Sequence, residues 1–281
     1  MASCHVRSVS LPSQASHPLA FSIIQQQLNK LKANPRPGGF IGHNIITLES
    51  LSHCIDDLLL TQLSEHHISH EPATRFAVEN LLDASIKLLD MCSLVRDVLS
   101  RMKQSMQDFE SSLRRRRSDS CLSNQVDSYL VCRKGLSHLA SKNMKIVEKR
   151  RGTMSSEKCS NMAGDLVSLL WEVEEICVAE FKTLLCFVSA PRKQHSSMVS
   201  KLMHSKKGVE RGEISETIVE KIDAEMYAIK SSKFANAEQI HGLLRGLKGF
   251  GSRLEEAEVG LEGLFRRLLR IRVLLLNILS N

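Results

Sequence analysis

Between Arg75 and Arg117, apolar residues recur at alternating steps of four and three. They are Leu81, Leu88, Cys92, Val95, Leu99, Met102, Met106, Phe109 and Leu113, with Ser85 the one polar member of the series. That spacing lays a continuous stripe along one side of a helix. Leu82, Leu89 and Val98 widen the stripe, which favours a globular bundle over a bare two-stranded coil. Such a rod would be about 60 Å long and cannot be stable alone in water, so other segments must cover it. The end of the chain repeats the pattern through Leu254, Ala257, Leu261, Leu264, Leu268, Ile271, Leu275 and Ile278. Here Leu269, Val273, Leu274, Leu276 and Leu279 fill the remaining positions, and an end apolar nearly all round predicts burial at the bundle centre. Arg266, Arg267, Arg270 and Arg272 interrupt the run. A membrane span needs about 20 apolar residues, so a core helix with snorkelling arginines is the expectation.

Four further helices follow from the same periodicity. A short one runs from Pro18 to Lys32 with Phe21, Ile24, Leu28 and Leu31 on one side. The Asn34-Pro35-Arg36-Pro37-Gly38-Gly39 stretch is a loop. The next helix, 44–63, uses Leu48, Leu51, Ile55, Leu58 and Leu59. A basic, weakly apolar helix covers 122–151 with Val126, Tyr129, Leu130, Leu136 and Val147, and 152–158 is a linker. Residues 160–189 are strongly apolar through Leu166, Leu170, Val173, Cys177, Phe181, Leu184 and Val188, and Pro191 stops that helix. The final segment opens near Glu213 with a break around Ser231.

The 42% hydrophobic content suffices for a real core, while strand-like alternation is almost absent, so the fold class is all-α. The expected architecture is an elongated antiparallel helical bundle, 19–281, with long coiled-coil-like helices, a disordered Ser-rich tail over 1–18 and a mobile basic loop over 190–212. The eight cysteines contain no C-x-x-C pair; Cys54, Cys92 and Cys177 fall on apolar faces, as small hydrophobes do. With no secretory signal in view, a cytoplasmic protein is expected, with nuclear and peripheral-membrane placement as alternatives.

Charge is uneven. Between Arg114 and Arg151 eleven Lys or Arg stand against three acidic residues, and the +7 net charge is smaller than that local excess. Arg114, Arg115, Arg116, Arg117, Arg150 and Arg151 mark the patch, which a helix dipole stabilises and which an anionic membrane or an acidic protein would match. Nucleic acid is the weaker reading, because base stacking needs aromatics and this region has only Tyr129. Ser118 beside the arginines is a candidate phosphosite. In the tail, Arg7, Ser8, Ser10 and Pro12 form R-S-x-S-x-P, which phosphorylation of Ser10 would turn into a 14-3-3 ligand. His66, His67 and His70 lack a completing carboxylate or thiol, and Pro72 breaks the local helix, so no metal site is expected. Glu172, Glu174, Glu175 and Glu180 have no partner histidine and read as a solvated acidic face, or as a match for the basic helix. No catalytic or cofactor-binding set emerges.

His5 to Ser13, Cys54-Ile55-Asp56-Asp57-Leu58-Leu59, Leu81-Leu82-Asp83-Ala84-Ser85, Leu113 with its arginines, and Gly263-Leu264-Phe265-Arg266-Arg267-Leu268 through Ser280 together resemble the plant-specific BYPASS family. The resemblance spans nearly the whole chain and implies a plant protein, a helical fold and a link to root and shoot development. It brings no catalytic residues. The expected function is thus a non-enzymatic regulatory or scaffold protein working through protein contacts, with oligomeric state unread and peripheral binding through 114–151 as the alternative.

Overall fold

A computed structural model describes residues 17–33, 41–65, 72–115, 119–151, 162–189, 218–231 and 237–280. Seven helices account for them: α1 (His17–Ala33), α2 (Ile41–Glu65), α3 (Pro72–Arg114), α4 (Asp119–Arg151), α5 (Met162–Ser189), α6 (Ile218–Ser231) and α7 (Ala237–Ser280). The predicted helices are all present, within a few residues at their ends. Proline at the first position of α3 costs no hydrogen bond, because that amide has no partner in the helix anyway. One end differs from expectation. The long helix stops at Arg114 rather than Arg117, and Arg115 closes it through a bond from its amide to the Ser111 carbonyl. Residues 1–16, 152–161 and 190–217 lie outside the described residues, as do the tail, linker and basic loop expected there.

The spine is the pair α3 and α7, each of more than forty residues and so about 65 Å long. They run antiparallel. Arg272 meets Leu82 and Ser85 near one end, Cys92 faces the Leu261 carbonyl mid-way, and Lys103 reaches Glu258 further along. α5 and α4 cover the other sides of α3, while α6 covers the first half of α7 and α2 the second. α1 lies across α2 and α5. A single apolar core runs through all seven helices, with Leu88, Leu99 and Leu268 buried in it.

Within this bundle α2 and α7 run in the same direction. Ile45 lies against Gly260, Glu49 against Gly263, and Asp56 against Arg267 and Arg270. The closeness is glycine's doing: a methyl group on Gly260 would sit 2.8 Å from Ile45 Cγ2. Gly260 thus lets the two helices approach where a larger residue would press on Ile45, while Gly263, one turn on, faces only the flexible end of Glu49.

Candidate interaction surface

Three charged residues, Asp56, Arg133 and Glu174, enter this core, each at a joint between helices. At the first, Asp56 of α2 is buried at 1% exposure between Arg267 (3.5 Å) and Arg270 (3.4 Å). Burial pushes its carboxyl up from the ordinary value, with the two guanidiniums pulling against that shift. At the second, Arg133 of α4 is buried, donates to the Val188 carbonyl at the end of α5, and lies 3.9 Å from Asp223 of α6. It was counted in the basic surface excess, but it caps another helix from within. Tyr129 sits beside it against Phe109, its hydroxyl buried and its pKa raised by that burial.

The third joint overturns the expectation of a solvated acidic face on α5. Only Glu175 of the four is exposed. Glu172 accepts from Gln25 and Lys32 of α1, and Glu180 accepts from Asn44 of α2 at 2.9 Å. Glu174 is buried at 6% exposure, and Oε1 has no hydrogen-bond partner among the described residues. Burial pushes its carboxyl up to about 7, against a smaller pull from Lys87. Two of the four, Glu172 and Glu180, therefore tie α5 to α1 and α2. The missed signal is in the sequence: α5 has the highest apolar content of the seven, so its few charges had little surface to occupy.

The thiols split. Cys92 and Cys177 are buried, with the Cys92 thiol pushed up to about 12 by burial, whereas Cys54 is exposed, contrary to its apolar assignment.

Of the residues singled out from sequence, Arg7, Ser8, Ser10, Pro12, Arg116, Arg117 and Ser118 lie outside the described residues, as do His66, His67 and His70. Arg114 and Arg115 are exposed, and Arg114 bonds Glu110 of its own helix. Arg150 and Arg151 fall in the last turn of α4. Lys134, Lys142 and Lys145 are exposed along that helix. Among the described residues no group of His, Cys, Asp and Glu is placed to hold a metal, and none of their helices is long and apolar enough to cross a membrane. One Glu-x-x-His pair occurs, Glu238 and His241, and both members are exposed at the start of α7; a bundle metal site takes two such pairs pointing inward.

The largest departure lies on α7. Its second half was expected to be buried all round, but the helix is covered by α2 on one side and α3 on another. Leu268, Ile271, Leu274, Leu275 and Ile278 face in. Leu269, Val273 and Leu276 face out at 42, 53 and 43% exposure. Steps of four and three put those three on one stripe. The helical register continues it through Arg266 and Glu262, which pair with each other at 2.9 Å. On the α3 side, Arg272 bonds Ser85, so that the exposed Ile86 stands at the same level. Towards the first half of α7, the stripe opens into a cleft of about 850 Å³ lined by Glu49, Ser93, Arg96, Asp97, Glu258 and Arg266. Arg96 there reaches Glu262 and stacks over Phe265, 5.6 Å from the ring centre.

Bundle, spine and stripe together occupy the region that a family model, described as Protein BPS1, matches: residues 44–278. The chain belongs to this family. The match covers most of the chain, begins within α2 and ends at the last buried residue of α7, Ile278. The matched residues run from α2 to α7, and α1 lies ahead of them. No curated protein and no solved structure matches the chain.

Proposed function

We propose that this BPS1-family protein is a non-enzymatic regulatory or scaffold protein that works by contacting other proteins along the outer face of α7. One observation carries the reading: Leu269, Val273 and Leu276 form an apolar stripe on a helix whose other side is packed in the core. Isolated surface leucines are common, whereas a row at helical contact spacing is the pattern by which helices recognise partners. The arginines that flank it are held within the chain: Arg266 shares Glu262 with Arg96, Arg270 shares Asp56 with Arg267, and Arg272 is bonded to the Leu82 carbonyl and Ser85. The stripe therefore offers apolar contact with a polar rim, the usual anatomy of a protein interface. An anionic membrane would gain little from arginines held in this way, and the exposed lysines of α4 supply only a dispersed charge. The link to root and shoot development that the BYPASS resemblance implies would be exerted through such contacts.

Proximity labelling in plant cells tests this. Wild type and Val273→Glu should be equally abundant, and the variant should lose a defined subset of labelled neighbours. An unchanged set of neighbours would refute the reading. A second contact is proposed in the tail, from R-S-x-S-x-P. A peptide spanning residues 4–16 with phosphorylated Ser10 should bind 14-3-3 protein, and equal binding without the phosphate would remove that contact.

A further inference from the structure

We infer that the groove between α2 and α5 is a binding site for an amphipathic helix, which the chain's own α1 fills and which a partner's helix of the same pattern can take over. The helix seated there shows what the groove accepts. α1 lays Ile24, Leu28 and Leu31 into the core, with Phe21 partly buried beside it. Anchors at steps of four and three are the way a helix reads an apolar groove. Its polar hold falls on one atom of α5. Gln25 donates to Glu172 Oε2 at 2.8 Å, and Lys32 donates to the same oxygen at 3.1 Å. α1 has no acidic residue and closes on Lys30 and Lys32, so a cationic end meets a carboxylate. The partner that fits is therefore a helix with Ile or Leu at three such positions and Lys or Arg one residue after the last.

α1 is held in a way that permits exchange. A helix of 17 residues is marginal alone in water, so it depends on docking to form. It docks through three buried anchors, whereas α2 beside it buries Ile45, Leu48, Leu51, Ile55, Leu58 and Leu59. Lys32 and Glu172 are both partly exposed, and a pair so wetted adds little. The tether does the rest: residues 34–40 join α1 to α2, and a link that short holds it at an effective concentration of about millimolar. An end segment with few buried contacts is the kind that opens while the rest stays folded. α5 and nearly all of α2 fall within the family match, and the helix that fills the groove between them falls ahead of it. The inference does not depend on the α7 stripe.

A labelled peptide of residues 17–33, added to the full chain, tests this. Leu28→Glu in the chain should unseat α1 and open the groove. The peptide should then bind that variant at least about tenfold more tightly than wild type, where the tethered α1 competes. A peptide that itself carries Leu28→Glu should not bind. Adding Glu172→Lys to the variant chain should weaken the peptide about threefold, and a Lys32→Glu peptide should recover the loss. In wild type, the α1 amides should exchange hydrogen together, at least about tenfold faster than those of α2 and α5. No binding to the Leu28→Glu chain, equal binding to both chains, or charge reversals that fail to compensate would overturn the proposal. Val273→Glu, added to the variant chain, should leave the peptide's affinity unchanged; a loss would move the peptide to the α7 stripe and overturn it too. Should Leu28→Glu lose helical content beyond α1, exchange in the wild type decides alone. There, α1 amides as slow as those of α2 would make α1 a fixed part of the bundle and end the proposal.

Discussion

The two faces of the second half of α7 are built from nearly the same residues and meet opposite fates. Leu264, Leu268, Ile271, Leu275 and Ile278 are buried against α2 and α3, while Leu269, Val273 and Leu276 look outward one residue away. The difference lies in coverage rather than in side-chain chemistry. α2 can approach α7 because Gly260 admits it, and α3 is fixed by Arg272 and Arg96, so two neighbours cover part of the circumference and no described helix covers the rest. Leucine content shows where burial is available, but the number of neighbouring helices decides how much of it is used.

Substitutions should separate the two faces clearly. Leu268→Ala and Leu275→Ala each remove packed methyl groups and should cost about 2–5 kcal/mol, read as a lower denaturant midpoint with unchanged slope. If either left stability intact, the inner face would not be core.

The interior also holds a charge that resists burial. Glu174, pushed up to about 7, binds its proton more tightly folded than unfolded. It therefore stabilises the fold fully below the ordinary glutamate value and loses that contribution as pH rises through about 7. Glu174→Gln should consequently be near neutral at pH 5 and stabilise by about 3 kcal/mol at pH 8, seen as a flatter melting temperature between those values. A variant that tracks wild type at both would place Glu174 in water. Asp56, equally buried, is raised with two arginines opposing the shift. Its removal leaves those half-exposed arginines to solvent, so that Asp56→Asn should cost only about 1–2 kcal/mol.

Between these lies the joint itself. Gly260→Ala forces Ile45 aside and should cost about 1–3 kcal/mol, whereas Gly263→Ala meets only the mobile end of Glu49 and should cost less. Equal effects would mean that α2 does not approach α7 as closely as described.

Much of the bundle was legible because its signal is periodic. The 3–4 spacing of Leu88 to Leu113 and Leu254 to Ile278 fixed the register of both spine helices, and Gly, Pro and polar runs marked the breaks. The outer stripe was not legible, since periodicity identifies an apolar face but not which neighbours pack against it. Glu174 and Arg133 escaped for a related reason: a charged residue reads as surface unless its partners, here the end of α5 and the scarce free surface around that helix, are already in place. Cys54 misled in the other direction, being apolar in company and exposed in fact.

A contact surface on α7 requires Leu269, Val273 and Leu276 to face outward. The most direct test is chemical denaturation of Leu269→Glu/Leu276→Glu beside Leu268→Glu/Leu275→Glu, at a concentration where the chain is monomeric. The outer pair should stay within about 0.5 kcal/mol of wild type per substitution, and the inner pair should fail to fold. Outer substitutions as damaging as inner ones would mean that α7 is covered on every side and that the contact surface does not exist.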